Sequence, residues 1–269
     1  MYSEGDSGKG RKGIYFLPSL FTTAGLLFGF IAIIQATHGR FDLAAVWIFV
    51  AMIMDGLDGR VARWTNTTSE FGKEYDSLVD LVAFGVAPAM MVYFWSLQSI
   101  SRAGAAISFL YVAATALRLA RFNTLTIKDK RYFYGLPSPS GAAFVVFWVW
   151  CMYEFGISGE GVSWLSAGVT LAASILMVSN LRFRSFKDFD YKDRIPFVVL
   201  IALLLMLVLI YFDPSTVLFV MALGYVLSGP WGWLMRWRKG HQESPAFLPD
   251  DDEGGDGGTD SPDDTESGQ

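Results

Sequence analysis

Apolar stretches of about 20 residues recur along the whole chain and restrict its fold more than any other feature, since each can span a bilayer core. They lie at residues 14–36, 43–63, 75–97, 102–123, 139–157, 163–181, 195–212 and 214–235. The 269 residues are 52% hydrophobic and only 17% charged, which excludes an ordinary soluble enzyme. We therefore predict an all-α, polytopic transmembrane helical bundle of about eight spans.

The positive charges are distributed unequally between the two ends of these spans. Nineteen of the 21 Lys and Arg residues lie at the termini or in segments that an eight-span order places on one side of the membrane, and only Arg40 and Arg102 lie on the other. Short loops rich in Lys and Arg stay in the cytoplasm. The charge pattern thus predicts that both termini are cytoplasmic.

The C-terminal end differs in composition from the rest of the chain. Residues 240–269 contain ten acidic residues and no Lys or Arg. Such a segment cannot bury enough apolar surface to offset the entropy lost on ordering. We therefore expect a cytoplasmic N-terminal segment at 1–13, a transmembrane domain at 14–236 and a disordered acidic cytoplasmic tail at 237–269.

Four aspartates lie in two consecutive spans, where charges are costly and suggest function. Asp55 and Asp58 are three residues apart near the end of the second span, and Asp76 and Asp80 are four apart near the start of the third. On helices, both spacings put two carboxylates on one face. Because the two spans are joined by a short connection, we expect the four carboxylates to converge near the cytoplasmic surface. An all-oxygen ligand set of this kind suits Mg²⁺, Mn²⁺ or Ca²⁺.

Small residues accompany the acids. Gly56, Gly59 and Ala62 lie along the same helix end, and Gly72 lies shortly before the third span. Small residues let a bulky ligand approach the backbone, as phosphate and nucleotide sites require. Arg63 is suitably placed to bind a phosphate.

Gly25 and Gly29 form a GxxxG pattern in the first span. Such a pair permits close helix packing, either within one subunit or between two copies. We favour the contact within the subunit.

Residues 55–80 contain the pattern D-x2-D-G-x2-A-R-x8-G-x3-D-x3-D. All eight specified positions match the signature of the CDP-alcohol phosphotransferase family, which the chain resembles over residues 14–235. Further segments are similar to the phosphatidylserine synthase branch of that family, namely LPSLFT at 17–22, RLARFN at 118–123, FYGLPSP at 133–139, MVSN at 177–180 and FRSFK at 183–187.

The resemblance implies transfer of a phosphatidyl group from CDP-diacylglycerol to the hydroxyl of L-serine, with release of CMP. It also implies a six-helix family core followed by two C-terminal spans, and a homodimer. Membrane lipid is an expected partner and nucleic acid is not. The expected location is the bacterial cytoplasmic membrane, with multiple spans and the active site facing the cytoplasm.

The resemblance also assigns roles to residues. It implies two divalent ions, Mg²⁺ or Mn²⁺, held by Asp55, Asp58 and Asp76. Asp80 is expected to be the general base, and it is also a candidate metal ligand. The residues expected to contact the CDP or CMP part are Asp55, Gly59, Ala62, Arg63, Gly72, Asp76 and Ser77. Those expected to contact serine are Arg118, Arg121, Asn123 and Ser138.

Other hypotheses remain open on sequence alone. The acceptor alcohol could be glycerol 3-phosphate or an inositol phosphate, because the aspartate motif is common to the family. A divalent-cation transporter is a hypothesis of another class, but its acids would be expected near the membrane midplane, often with an internal repeat. The acids here cluster at one end of their spans. Simple helix pairing through Arg60 or Arg63 would not need four acids.

Overall fold

The structure is a computed structural model, and it describes residues 16–65, 69–124, 132–184 and 197–238. Its helices are α1 (Phe16–Thr37), α2 (Phe41–Thr65), α3 (Glu70–Asp80), α4 (Ala87–Trp95), α5 (Ser101–Thr124), α6 (Ser138–Glu154), α7 (Ser163–Val178), α8 (Phe197–Phe212) and α9 (Pro214–Arg238). The predicted N-terminal segment and nearly all of the predicted acidic tail lie outside the described residues.

Eight helical segments coincide with the eight predicted apolar stretches, because α3 and α4 belong to one continuous helical stretch. Among the described residues, five helical segments are long and apolar enough to cross a membrane, which identifies a membrane protein. They are Leu20–Thr37, Glu70–Trp95, Leu97–Thr124, Gly159–Val178 and Pro214–Met235. The apolar part of α8, Val198–Phe212, is shorter.

A π-helical turn, Leu81–Val86, joins α3 to α4 directly after Asp80. Its backbone carbonyl at Phe84 accepts a hydrogen bond of 3.1 Å from the hydroxyl of Tyr111, a fully buried residue of α5. Turns of this kind are rare and often accompany functional sites. Here the turn changes the helix register immediately behind the last aspartate of the motif.

The start of α3 lies earlier than the apolar pattern predicts. Ser69 caps the helix by accepting a hydrogen bond of 3.0 Å from the backbone N–H of Gly72. The first turn of α3 is mostly polar, so a search for apolar stretches does not include it. A serine at the N-cap position nevertheless favours a helix. As a result, Asp76 lies in the second turn of α3 rather than in its first turn, and Asp80 is the last residue of α3.

Helix α6 occupies the centre of the bundle and packs against α2, α4, α7 and α9. Its side chains at Val145, Val146 and Val149 are fully buried. Helix α8, by contrast, keeps most of its large apolar side chains exposed, with Val198 at 74% and Phe212 at 78% exposure. An apolar helix with this exposure is suited to contact with lipid rather than with the protein core.

Helix α1 meets both the end of α3 and the following π-helical turn closely at the glycines of the first span. A Cβ atom at Gly29 would lie 3.0 Å from the Cα atom of Ala83, and one at Gly25 would lie 3.7 Å from Val79. The GxxxG pattern therefore makes a close contact within the subunit, as predicted. This contact brings α1 alongside the helix that carries Asp76 and Asp80.

Two short strands were not predicted, so the all-α description needs a small correction. Strand β1 (Tyr132–Tyr134) pairs antiparallel with β2 (Arg182–Arg184), and Phe133 lies opposite Phe183. The pairing joins the segment before α6 to the segment after α7. Neither segment has a strand pattern long enough to be recognised, because the pairing depends on the helices that bring them together.

Candidate active site

Three of the four predicted aspartates converge between α2 and α3. One carboxylate oxygen from each of Asp55, Asp76 and Asp80 lies within 4.8 Å of the other two. All three side chains are partly buried. Carboxylates at this separation repel each other unless they are protonated or share a cation. Their arrangement thus supplies a set of oxygen ligands for a hard divalent cation.

Asp58 lies beside this trio but has a neighbour of its own. It is 5% exposed, and its Oδ2 atom accepts a hydrogen bond of 2.9 Å from the hydroxyl of Thr22 on α1. A hydrogen bond to a buried carboxylate fixes its orientation and offsets part of its desolvation cost. Helix α1 therefore takes part in the acidic site, which the spacing of the aspartates alone did not indicate.

A small cavity adjoins the four acids. Apolar and small side chains from α1, α2 and the α3–α4 stretch form its remaining wall. The full lining consists of Phe21, Thr22, Gly25, Ala51, Asp55, Asp58, Asp76, Val79, Asp80, Ala83 and Phe84. The acids thus border a cavity with an otherwise mainly apolar lining, where electrostatic interactions are stronger than in bulk water.

The small residues of the motif differ in their surroundings. A Cβ atom at Gly56 or Gly59 would meet nothing within 4 Å, so this face of α2 has room for a ligand. Gly72 instead lies against the Ser69 hydroxyl as part of the helix cap. The side chains of Ala62 and Arg63 are not among those described.

Arg118 and Ser138, both predicted to contact the acceptor, contact each other. The Nη1 atom of Arg118 on α5 donates a hydrogen bond of 2.8 Å to the Oγ atom of Ser138, the first residue of α6. The Nε atom of Arg118 is buried and has no hydrogen-bond partner among the residues that the structure describes. The guanidinium also interacts electrostatically with Asp80. A cationic group with an unused donor therefore lies next to the acidic trio.

The segment before Ser138 follows a path that requires glycine. Gly135 has φ +79°, and a Cβ atom there would also collide with the backbone carbonyl of Met177. Its N–H donates a hydrogen bond of 2.9 Å to Leu181, and the N–H of Leu136 donates one of 2.9 Å to Leu176. The segment is thus bound to the end of α7, and it delivers Ser138 to Arg118.

The other residues predicted to contact the acceptor, together with Ser77, form hydrogen bonds with side chains other than Ser138. Arg121 donates a hydrogen bond of 2.7 Å to Asn180 Oδ1 at the end of α7. Asn123 donates one of 2.9 Å from Nδ2 to the Oγ atom of Ser77 on α3. Arg118 and Arg121 lie three residues apart on α5, yet they donate hydrogen bonds to different residues, Ser138 and Asn180.

Thr22 was missed as a site residue at the level of sequence. Its hydroxyl donates a hydrogen bond to Asp58. Thr22 belongs to the LPSLFT segment, so the resemblance offered a signal for it.

Comparison with known proteins identifies relatives over most of the chain. A sequence model of the CDP-alcohol phosphatidyltransferase family matches residues 15–178. The CDP-diacylglycerol–serine O-phosphatidyltransferase of Helicobacter pylori strain J99 is 38% identical over 222 residues, covering 82% of this chain and 92% of that protein. The protein of the same name from Mycobacterium tuberculosis strain H37Rv is 30% identical over 244 residues, covering 87% and 85%. The archaetidylserine synthase of Methanothermobacter thermautotrophicus is 33% identical over 178 residues, covering 62% and 69%.

Proposed function

Because the chain belongs to the CDP-alcohol phosphatidyltransferase family, we propose that it transfers a phosphatidyl group from CDP-diacylglycerol to the hydroxyl of L-serine and releases CMP. The observation that carries this proposal is the convergence of Asp55, Asp76 and Asp80 beside the cationic side chain of Arg118. The site therefore combines groups suited to a metal-bound diphosphate with a group suited to an acceptor carboxylate.

The acidic residues would hold the cofactor. Asp55 and Asp76 would be ligands of a hard divalent cation such as Mg²⁺ or Mn²⁺, because their carboxylate oxygens lie within 4.8 Å of each other and of Asp80. Asp58 lines the same cavity and would extend the ligand set to a second ion. When bound, two such ions would neutralise the diphosphate and the departing CMP.

Asp80 is our candidate for the general base. It belongs to the acidic trio and also interacts with Arg118, so it lies between the cation site and the acceptor side. In the proposed step, the serine hydroxyl oxygen bonds to the phosphatidyl phosphorus while the bond from phosphorus to the CMP oxygen breaks. The proton of the serine hydroxyl passes to a carboxylate oxygen of Asp80.

The open face of α2 is our candidate nucleotide site. The room beside Gly59 supports close approach of CMP to the backbone. Arg63 would bind a phosphate oxygen, and Ala62 would leave space for the nucleotide. Ser77 and Gly72 on α3 complete the set, with Gly72 acting through the helix cap that positions α3.

Arg118 is our candidate for binding the carboxylate of serine. Its buried Nε donor lacks a partner within the described part of the chain, so a carboxylate there would satisfy it through a charge-assisted hydrogen bond. Ser138 holds Nη1 of the same guanidinium. Arg121 and Asn123 would contribute less, because each already donates to another side chain.

We further propose that the protein crosses the bacterial cytoplasmic membrane eight times, with both termini and the active site on the cytoplasmic side. The one-sided distribution of Lys and Arg supports this orientation. Residues 14–236 would form the catalytic domain, flanked by the N-terminal segment 1–13 and the acidic tail 237–269. The homodimer implied by the resemblance is part of the same proposal.

The test is CMP release by the purified protein, supplied with CDP-diacylglycerol and Mg²⁺ or Mn²⁺. Serine, glycerol 3-phosphate and inositol 1-phosphate are offered separately, and EDTA serves as the control. We expect metal-dependent CMP release with serine alone. CMP release with one of the phosphorylated alcohols but not with serine would agree with the family assignment and would overturn serine as the acceptor.

A further inference from the structure

A buried aromatic side chain fastens the ribbon of β1 and β2 to the last helix. Phe183, the middle residue of β2, is fully buried. A Cβ atom at Gly229, inside α9, would collide with the Cε1 and Cζ atoms of the Phe183 ring. Small residues in membrane helices let neighbouring groups approach the backbone closely. Here the group that approaches is the aromatic ring, which occupies the space that a larger residue at position 229 would need.

A second residue of α9 borders the same ring. Tyr225 lies four residues before Gly229 and therefore on the same face of the helix. Its ring centroid lies 5.8 Å from that of Phe183. Aromatic pairs at such distances stabilise a contact beyond the apolar area that they bury. One face of α9 thus holds Phe183, and with it β2, in a defined place.

The ribbon in turn fixes the segment that leads to Ser138. The N–H of Gly135, directly after β1, donates a hydrogen bond of 2.9 Å to the carbonyl of Leu181, directly before β2. Ser138 follows three residues later at the start of α6, where its Oγ atom accepts the hydrogen bond of 2.8 Å from Arg118 Nη1. Because so short a segment separates them, a displacement of β2 should move Ser138 relative to the guanidinium.

The acids of the motif lie on other elements. Asp55 belongs to α2, and Asp76 and Asp80 belong to α3. Helix α9 packs against α6, α8 and β2. A change at Gly229 meets the ring of Phe183 and therefore acts first on the ribbon and on Ser138.

We propose that Phe183, packed against Gly229, is a positioning residue for the acceptor: it holds the ribbon on α9 so that Ser138 keeps the Arg118 guanidinium directed at the carboxylate of serine. This inference rests on the proposed function, in which Arg118 binds that carboxylate. It gives the last helix a part in acceptor recognition, although the family match ends at residue 178. A shift of the ribbon should weaken the binding of serine more than that of CDP-diacylglycerol.

The first test compares Gly229→Ala with the wild-type protein. The added methyl group displaces the Phe183 ring, so we expect the KM for serine to rise about tenfold, as for an overpacked contact. The KM for CDP-diacylglycerol should stay within about twofold of the wild-type value, since the ribbon is the element displaced. Gly224→Ala is the matched control on the same helix, because a Cβ atom there would meet no described atom within 4 Å. It should leave both constants unchanged.

A compensating change shows whether Phe183 and Gly229 act as a pair. Phe183→Leu removes the ring atoms that the new methyl group would meet. Alone it should raise the KM for serine about fivefold, because it loosens the ribbon on α9. Combined with Gly229→Ala it should return that KM to within about twofold of wild type. The single Phe183→Leu variant also carries the test if Gly229→Ala does not fold.

Three results would overturn the inference. They are an unchanged KM for serine in a folded single variant, an equal rise in the KM values of serine and CDP-diacylglycerol, and additive effects in the double variant. Failure of the wild-type protein to release CMP with serine would instead overturn the proposed function, together with this inference.

Discussion

Thr22 donates a hydrogen bond of 2.9 Å to Asp58, a contact that joins the first helix to the acidic motif across 36 residues of sequence. Asp58 is almost fully buried. A carboxylate in that position requires donors or cations to remain charged. The first span therefore contributes to the chemistry of the site as well as to its packing.

The first prediction concerns this bond. Thr22→Val keeps the shape of the side chain and removes the donor, so we expect a loss of about 1–3 kcal/mol in the free energy of unfolding. The Mn²⁺ concentration needed for half-maximal CMP release should also rise. Thr23→Val is the matched control, because it removes the neighbouring threonine hydroxyl, which forms a hydrogen bond of 3.1 Å with the hydroxyl of Tyr75. Equal effects of the two variants would argue against a special role for Thr22.

The second prediction separates the base from the metal ligands. Asp80→Asn should lower kcat on the order of 10²–10⁴-fold while metal-dependent binding of CDP-diacylglycerol is largely kept. Asp55→Asn and Asp76→Asn should weaken that binding as well, because each removes a ligand charge. Asp42→Asn is the control, since Asp42 is an exposed acid in the first turn of α2. Full turnover by the Asp80 variant would contradict the assignment of the base.

The third prediction distinguishes the two arginines of α5. Arg118→Lys should raise the KM for serine by roughly ten- to a hundredfold, because lysine cannot reproduce the planar set of donors that meets Ser138 and a carboxylate. Arg121→Lys should have a much smaller effect, since Arg121 binds Asn180. Initial rates at varied serine and saturating CDP-diacylglycerol measure both constants. A larger effect at Arg121 would move the acceptor site away from Ser138.

The fourth prediction concerns the backbone that delivers Ser138. Gly135→Ala should lower the melting temperature in detergent, with a loss of about 1–2 kcal/mol or more, because φ +79° is unfavourable for alanine and its Cβ would meet Met177. Gly168→Ala provides the control. It lies inside α7 with open space around its Cβ position, so alanine should be neutral or mildly stabilising there. Wild-type stability in the Gly135 variant would show that the segment adopts another path.

The helices themselves were predictable from sequence because each contains a long run of apolar residues. The predicted stretch 14–36 corresponds to Phe16–Thr37, and 102–123 corresponds to Ser101–Thr124. The largest error, at the start of α3, has a local cause: the polar first turn is stabilised by the Ser69 cap and not by apolar character. The convergence of Asp55, Asp76 and Asp80 followed from helical spacing and a short connection.

The tertiary structure decided which side chains meet across distant parts of the chain. Arg118 and Ser138, Thr22 and Asp58, and Ser77 and Asn123 are pairs whose partners lie 20 to 46 residues apart in sequence. No local period encodes such pairs, because they depend on helix register and on the packing of α1, α5 and α6. The short ribbon of β1 and β2 has the same origin.

The sequence by itself determined the membrane character, the positions of the helices and the acidic motif, because hydrophobic length and residue spacing act locally along the chain. Only the tertiary structure brought Ser138 of α6 beside Arg118 of α5. This contact depends on how the helices pack, and that packing is set by contacts between residues far apart in sequence.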